Sequence, residues 1–310
     1  MSILSRVGRS LAPVLFGATV FTAAPANAEV NVVTSIKPLE LLVRSIATED
    51  VQVTTLVPPG SSPHNYTIRP SQRRALENAD LVFWVGPDME SFLIRLLSAD
   101  EFRERTIALS GEEVDGDEHE EEQGQDHGHE HDHGEGEDPH LWVDPALALD
   151  MTRDIAKALV AHEDADQAAI NRNLARFEAA LTDREASIRE QLAPAREIDI
   201  FAYHNALTRF AEHYELELAG VLTLNPELSP GARHVAEVQN KLREATHPCL
   251  LTEPQFNRQW WRSITEGLDV TFSTWDPLAM DIDATETGYL DFQQSIADAI
   301  LQCLPEDAQH

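Results

Sequence analysis

Thirteen histidines are spread unevenly along 310 residues, and six of them fall between His119 and His140. Imidazole and carboxylate are ligands for zinc and other borderline divalent ions, so the first chemistry this composition offers is cation binding. The six do not form one group. His119, His127, His129, His131 and His133 stand in the stretch from Gly111 to Asp138, which holds 14 acids, no Lys or Arg, and Val114 as its one strongly apolar residue. Such a segment cannot bury enough surface to offset the entropy of ordering it, so it is expected to be a disordered loop. Ligands on a flexible chain lose entropy when they coordinate and select poorly, which makes these five an auxiliary, weak metal site.

His140 has different neighbours. In Asp138-Pro139-His140-Leu141-Trp142-Val143-Asp144-Pro145 two prolines restrict the backbone and three apolar residues dock it, so the imidazole is held in place before an ion arrives. Two further histidines share this kind of position. His64 closes the rigid run Pro58-Pro59-Gly60-Ser61-Ser62-Pro63 just after a predicted strand, and His204 ends a predicted strand in Phe201-Ala202-Tyr203-His204. In parallel α/β sheets ligands bind beyond the carboxyl ends of the strands. A lone histidine is usually explained by internal hydrogen bonds; the similar placement of all three is what points to a shared ion. Zinc held by three imidazoles keeps a fourth position open to water or carboxylate.

The elements that must position these residues read as an α/β fold with largely parallel sheets, because short apolar strands alternate with helical stretches. Strands are predicted at 30–34, 51–57, 81–85 and 106–109, then at 198–203, 216–222, 249–252 and 270–273; helices are predicted at 38–47, 71–78 and 89–97. The repeated rhythm implies two similar lobes. Between them Ile170, Leu174, Phe177, Leu181, Ile188 and Leu192 draw one apolar stripe, the mark of a helix from Ala165 to Leu192 that would run about 42 Å. That helix is read as a stiff strut between an N-terminal lobe (29–163) and a C-terminal lobe (195–310), with the linker itself at 164–194.

Residues 1–28 are set apart. Arg6 and Arg9 precede an apolar run from Leu11 to Ala24 that leads to Ala26-Asn27-Ala28, the form of a secretory signal peptide cleaved before Glu29. Export to an oxidising compartment in turn favours pairing of the two cysteines, Cys249 and Cys303. The formal charge of -31 repels nucleic acid and anionic lipid and attracts cations, so nucleic-acid binding is a poor hypothesis.

At Pro59-Gly60-Ser61-Ser62-Pro63-His64, Arg69-Pro70-Ser71, Asn78-Ala79-Asp80-Leu81-Val82 and Val85-Gly86-Pro87 the chain resembles the zinc-specific substrate-binding proteins of bacterial ABC metal importers, the cluster 9 metal receptors. The likeness continues through Asp138-Pro139-His140-Leu141-Trp142, Tyr203-His204, Asn225-Pro226-Glu227, Glu253-Pro254-Gln255-Phe256 and Asp276-Pro277-Leu278. The resemblance implies two α/β lobes joined by a rigid helix, zinc as transported ligand in the cleft, and a monomeric periplasmic receptor, not an enzyme, that serves a membrane permease. It implies His64, His140 and His204 as ligands, Asp276 as the leading protein candidate for the fourth, and Cys249 with Cys303 as the disulfide pair. Some relatives carry an acid where this chain has Pro63, and the glycine usual after Asp-Pro-Leu is Ala279. Manganese-binding relatives tend to have Glu at the position of His204, and imidazole favours the softer zinc ion.

Two other readings use the same residues. Three histidines and an open position could activate water in an exported zinc hydrolase, with Glu253 as a candidate base, although the chain has no H-E-x-x-H and no G-x-S-x-G. A periplasmic metal buffer would instead work mainly through the His-rich loop.

Overall fold

A computed structural model describes residues 29–111, 138–223, 231–256 and 259–305. The predicted signal peptide, the loop histidines from His119 to His133 and the Asn225-Pro226-Glu227 motif lie outside these described residues.

The N-terminal half runs β1 (Val30–Thr34), α1 (Lys37–Ile46), β2 (Val51–Thr55), α2 (Pro70–Glu77), β3 (Leu81–Trp84), α3 (Ser91–Leu97), α4 (Asp100–Arg103) and β4 (Thr106–Ala108). Two long helices follow, α5 (Pro145–Ala161) and α6 (Gln167–Gln191). The C-terminal half runs β5 (Asp199–His204), α7 (Thr208–His213), β6 (Leu218–Thr223), α8 (Ala232–Glu244), β7 (Pro248–Thr252), α9 (Gln259–Ile264), β8 (Thr271–Thr274) and α10 (Gly288–Leu301). All pairings are parallel, in the orders β2-β1-β3-β4 and β6-β5-β7-β8. The two sheets thus share one topology, and each reverses its strand order beside its first strand. That reversal opens a crevice at the carboxyl ends, between β1 and β3 in one sheet and between β5 and β7 in the other.

Local chemistry explains the main elements. In β1 the β-branched Val30, Val32, Val33 and Thr34 are buried on both sides of the sheet, as in a covered parallel strand, and Asn31 is exposed. In α1, Pro38 lies in the first turn, Glu40 favours the amino end and Arg44 the carboxyl end, while Leu39, Leu42, Val43 and Ile46 face the core. The helix predicted from Met89 starts at Ser91 instead. Glu90 is withheld from it because its carboxylate turns back to accept hydrogen bonds from the amides of Val85 and Gly86 and from the Ser35 hydroxyl. Burial pushes that carboxyl up to about 7.

α6 begins where Asp166 caps the Ala169 amide and ends at Gln191, with Leu192 as its cap, before Pro194. Its 25 residues span about 37 Å at the α-helical rise. Ile170, Phe177, Leu181 and Ile188 of the expected stripe are buried, with Leu174 half-buried. α6 packs on α5, α1 and α10, and α10 packs on α1 in turn. One continuous apolar core therefore contains residues of both halves, from Val30 to Ile300. Cys249 on β7 and Cys303, just beyond α10, form a disulfide with Cα atoms 5.7 Å apart. Among the described residues no helix is long and apolar enough to cross a membrane.

Candidate metal centre

His204 ends β5, beside the crevice of the second sheet, and is 2% exposed. The neighbouring strand β7 ends at Thr252, so the next residue, Glu253, comes to lie at the same crevice, fully buried. Glu253 Oε1 is 2.7 Å from His204 Nδ1. A carboxylate can only accept, so Nδ1 carries the proton and Nε2 presents its lone pair to the cleft.

His140 repeats this arrangement from another element. Leu141–Val143 forms a 3-10 turn whose buried Trp142 and Val143 hold the segment down, as the apolar triplet predicted. Asp138 Oδ1 accepts the His140 amide at 3.0 Å and lies 2.6 Å from His140 Nδ1. The His140 Nε2 lone pair is thereby also directed at the cleft. His64 sits in the turn Pro63–Asn65, where Ser62 Oγ accepts its amide. The ring of His64 stands 5.4 Å from that of His140 and 5.9 Å from that of His204, and the three potential ligand atoms lie within 4.8 Å of one another.

The closest approach is between His140 Nε2 and His204 Nε2, at 3.1 Å. Two nitrogens bound to one tetrahedral zinc at 2.0–2.1 Å stand about 3.3 Å apart, so the pair is already near coordination spacing. Protonation is disfavoured here. Burial, reinforced by the neighbouring His140 and His204 and opposed by Asp138, lowers His64 to about 3. Burial also lowers His140, against the pull of its hydrogen bond to Asp138. Neutral imidazoles are the form that binds metal.

The three rings border a cavity of about 20 Å³, room for about one water. Trp142, Phe256, Pro277 and Leu278 supply its apolar wall. Asp276 is not brought into the group. Its Oδ1 accepts from the Leu278 amide at 2.9 Å and from Gln255 Nε2 at 2.5 Å, and its Oδ2 accepts from the Met280 amide at 2.6 Å. The carboxylate so stitches a tight turn in which Ala279 takes φ 51°, the left-handed conformation that explains why a glycine suits this position.

The sequence does not reveal that two carboxylates orient the imidazoles. Asp138 was readable as part of the Asp-Pro-His motif, two residues from its histidine. Glu253, readable only as a candidate base, orients His204 instead, and nothing local in the sequence says that strands β5 and β7 are neighbours. Of the remaining histidines, His213 lies between Asp144 and Glu185, and His234 faces the Val221 carbonyl, so neither joins the cluster.

Two parallel α/β lobes bridged by long helices, with imidazoles converging between them, define a two-lobed receptor of the metal-binding kind. The solved periplasmic zinc-binding protein TroA from Treponema pallidum has this fold: it superposes with a TM-score of 0.72 at 19% identity, over 89% of this chain and 99% of that one. The family described as zinc-uptake complex component A, periplasmic, matches residues 32–303, and the chain belongs to that family. It is 32% identical to the high-affinity zinc uptake system protein ZnuA of Yersinia pestis, across 94% of this chain and 96% of that protein. With the protein of the same description from Haemophilus ducreyi it shares 35% identity, across 94% of this chain and all of the other.

Proposed function

We propose that this protein is a high-affinity periplasmic zinc receptor that captures Zn2+ between its lobes on His64, His140 and His204 and delivers it to the permease of an ABC importer. The observation that carries this reading is the facing pair of Nε2 lone pairs, 3.1 Å apart, each fixed by a carboxylate on the opposite ring nitrogen. Outer carboxylates of this kind orient imidazoles and raise their basicity towards metal. Family membership supports a binding component over a hydrolase, and one oxygen of each nearby carboxylate, Asp138 Oδ1 and Glu253 Oε1, is engaged in orienting an imidazole.

Water takes the fourth position, since the Asp276 oxygens already accept three hydrogen bonds. The chain is exported with residues 1–28 removed and acts as a monomer, built as lobes 29–163 and 195–310 around the linker 164–194. His119, His127, His129, His131 and His133 serve as a weak collector that raises the local zinc concentration. Because α1, α5, α6 and α10 share one core, loading moves the lobes only modestly.

Zinc titration against a competing chelator, on protein lacking residues 112–137, tests the assignment. That deletion spares Asp138. One tight equivalent should persist and should be lost on His204→Ala; a buffer working through the loop would lose most of its capacity instead. Turnover of a hydrolase substrate that vanished with His204→Ala would favour the enzyme reading.

A further inference from the structure

The segment that carries His140 is held from outside by the C-terminal half of the chain. Trp142 Nε1 donates to the Pro277 carbonyl at 2.7 Å, Tyr289 donates to the Trp142 carbonyl at 2.9 Å, and Gln293 donates to the Val143 carbonyl at 3.1 Å. Those contacts fix residues after His140. The contact on its other side comes from Arg209, in the first turn of α7. Its Nε donates to the Asp138 carbonyl at 2.7 Å and its Nη2 donates to the same oxygen. Nε also lies 3.9 Å from Asp138 Oδ2, an oxygen that accepts no hydrogen bond among the described residues.

Asp138 is the residue whose other oxygen, Oδ1, accepts both the amide and the Nδ1 proton of His140. Arg209 therefore fixes the main chain and neutralises the free side of the carboxylate that orients this imidazole. It does so from the helix that follows His204 by four residues, so one short stretch of chain supplies a ligand and braces the partner 3.1 Å away.

We propose that Arg209 is a positioning residue for zinc binding: through Asp138 it holds the His140 ring in the rotamer and tautomer that face His204. The inference rests on the reading that the three histidines bind zinc. Two effects of Arg209 oppose one another. Its positive charge repels a cation, whereas its fork orders the ligand. The Asp138 carboxylate, 3.9 Å from Nε, offsets that charge locally, so the ordering effect wins. Lysine keeps the charge but lacks the planar fork, which allows the two effects to be separated.

The test is competitive Zn2+ titration of the full chain and of Arg209→Met, Arg209→Lys, His140→Ala and the Arg209→Met/His140→Ala double variant, with the visible absorption spectrum of each Co2+-loaded protein. Arg209→Met should weaken zinc about tenfold or more, within the range seen when outer hydrogen-bond partners of metal ligands are removed. Its cobalt bands should shift, and Arg209→Lys should fall between it and the parent. In the His140→Ala background Arg209→Met should cause no further loss, because its effect passes through that ring. Wild-type affinity with an unchanged cobalt spectrum in Arg209→Met, or equal fractional losses in both backgrounds, would overturn the proposal. Should Arg209→Met fail to fold, the same cycle run with Arg209→Lys decides it. Unchanged zinc affinity in His140→Ala would instead remove the three-histidine reading itself.

Discussion

Glu253 lies 2.7 Å from the Nδ1 of His204 although 49 residues separate them in the chain. Adjacent parallel strands bring the two together. β5 and β7 pair from Asp199 with Pro248 to Ala202 with Leu251, so their carboxyl ends finish side by side. The ligand and the group that orients it are thus products of sheet topology, and the same sheet edge faces the turn that presents His140.

Replacing Glu253 by Gln should preserve the shape of this contact while removing the charge that dictates the tautomer. Zinc affinity should fall about 10- to 100-fold, the usual loss for such partners, with the fold retained. Chelator competition and far-ultraviolet circular dichroism measure the two halves of that statement, and an affinity equal to the parent's would count against it.

Asp276 should behave as a turn residue. Its carboxylate accepts two backbone amides and the Gln255 side chain, so Asp276→Ala leaves those donors without their partner and should cost about 1–3 kcal/mol of stability. Zinc affinity should change far less than in His140→Ala. Calorimetry alongside zinc titration separates the outcomes; loss of zinc binding without loss of stability would make Asp276 the fourth ligand after all.

The metal-free protein should lose stability on acidification. His64 is lowered to about 3 from an ordinary 6.5, so between those values the unfolded chain takes up a proton that the folded chain refuses. The contribution of His64 to stability is accordingly full above about 6.5 and is lost as pH falls towards 3. Thermal unfolding from pH 7 to pH 4 should show a steeper decline for the parent than for His64→Gln, and parallel curves would contradict the assignment. The same burial postpones proton competition for zinc to a lower pH than free imidazole would give.

Most of the architecture was legible because its signals are local and periodic. β1, β3, α1 and the α6 stripe follow directly from short apolar runs and 3.6-residue spacing. Boundaries moved where a side chain had a distant use, as at Glu90, which leaves α3 to bind the β3 turn and Ser35. The three histidines were legible from rigid, strand-terminal settings. Glu253 and Arg209 were not, because each acts across a long interval that only the folded topology closes.

The disulfide should matter for stability and little for metal. Cys249 and Cys303 close a loop of 54 residues, which in the chain-entropy account contributes about 4 kcal/mol. The Cys249→Ser/Cys303→Ser variant should unfold at a markedly lower temperature in calorimetry yet bind zinc as tightly as the parent. A large loss of affinity would mean that the bridge shapes the cleft as well.

The most direct measurement is zinc K-edge X-ray absorption on protein lacking residues 112–137 and loaded with one equivalent of zinc. Three imidazole nitrogens at about 2.0–2.1 Å with one further light ligand are the predicted shell. A shell with fewer than three imidazoles, or no stoichiometric uptake once the loop is gone, would contradict a cleft site built from His64, His140 and His204.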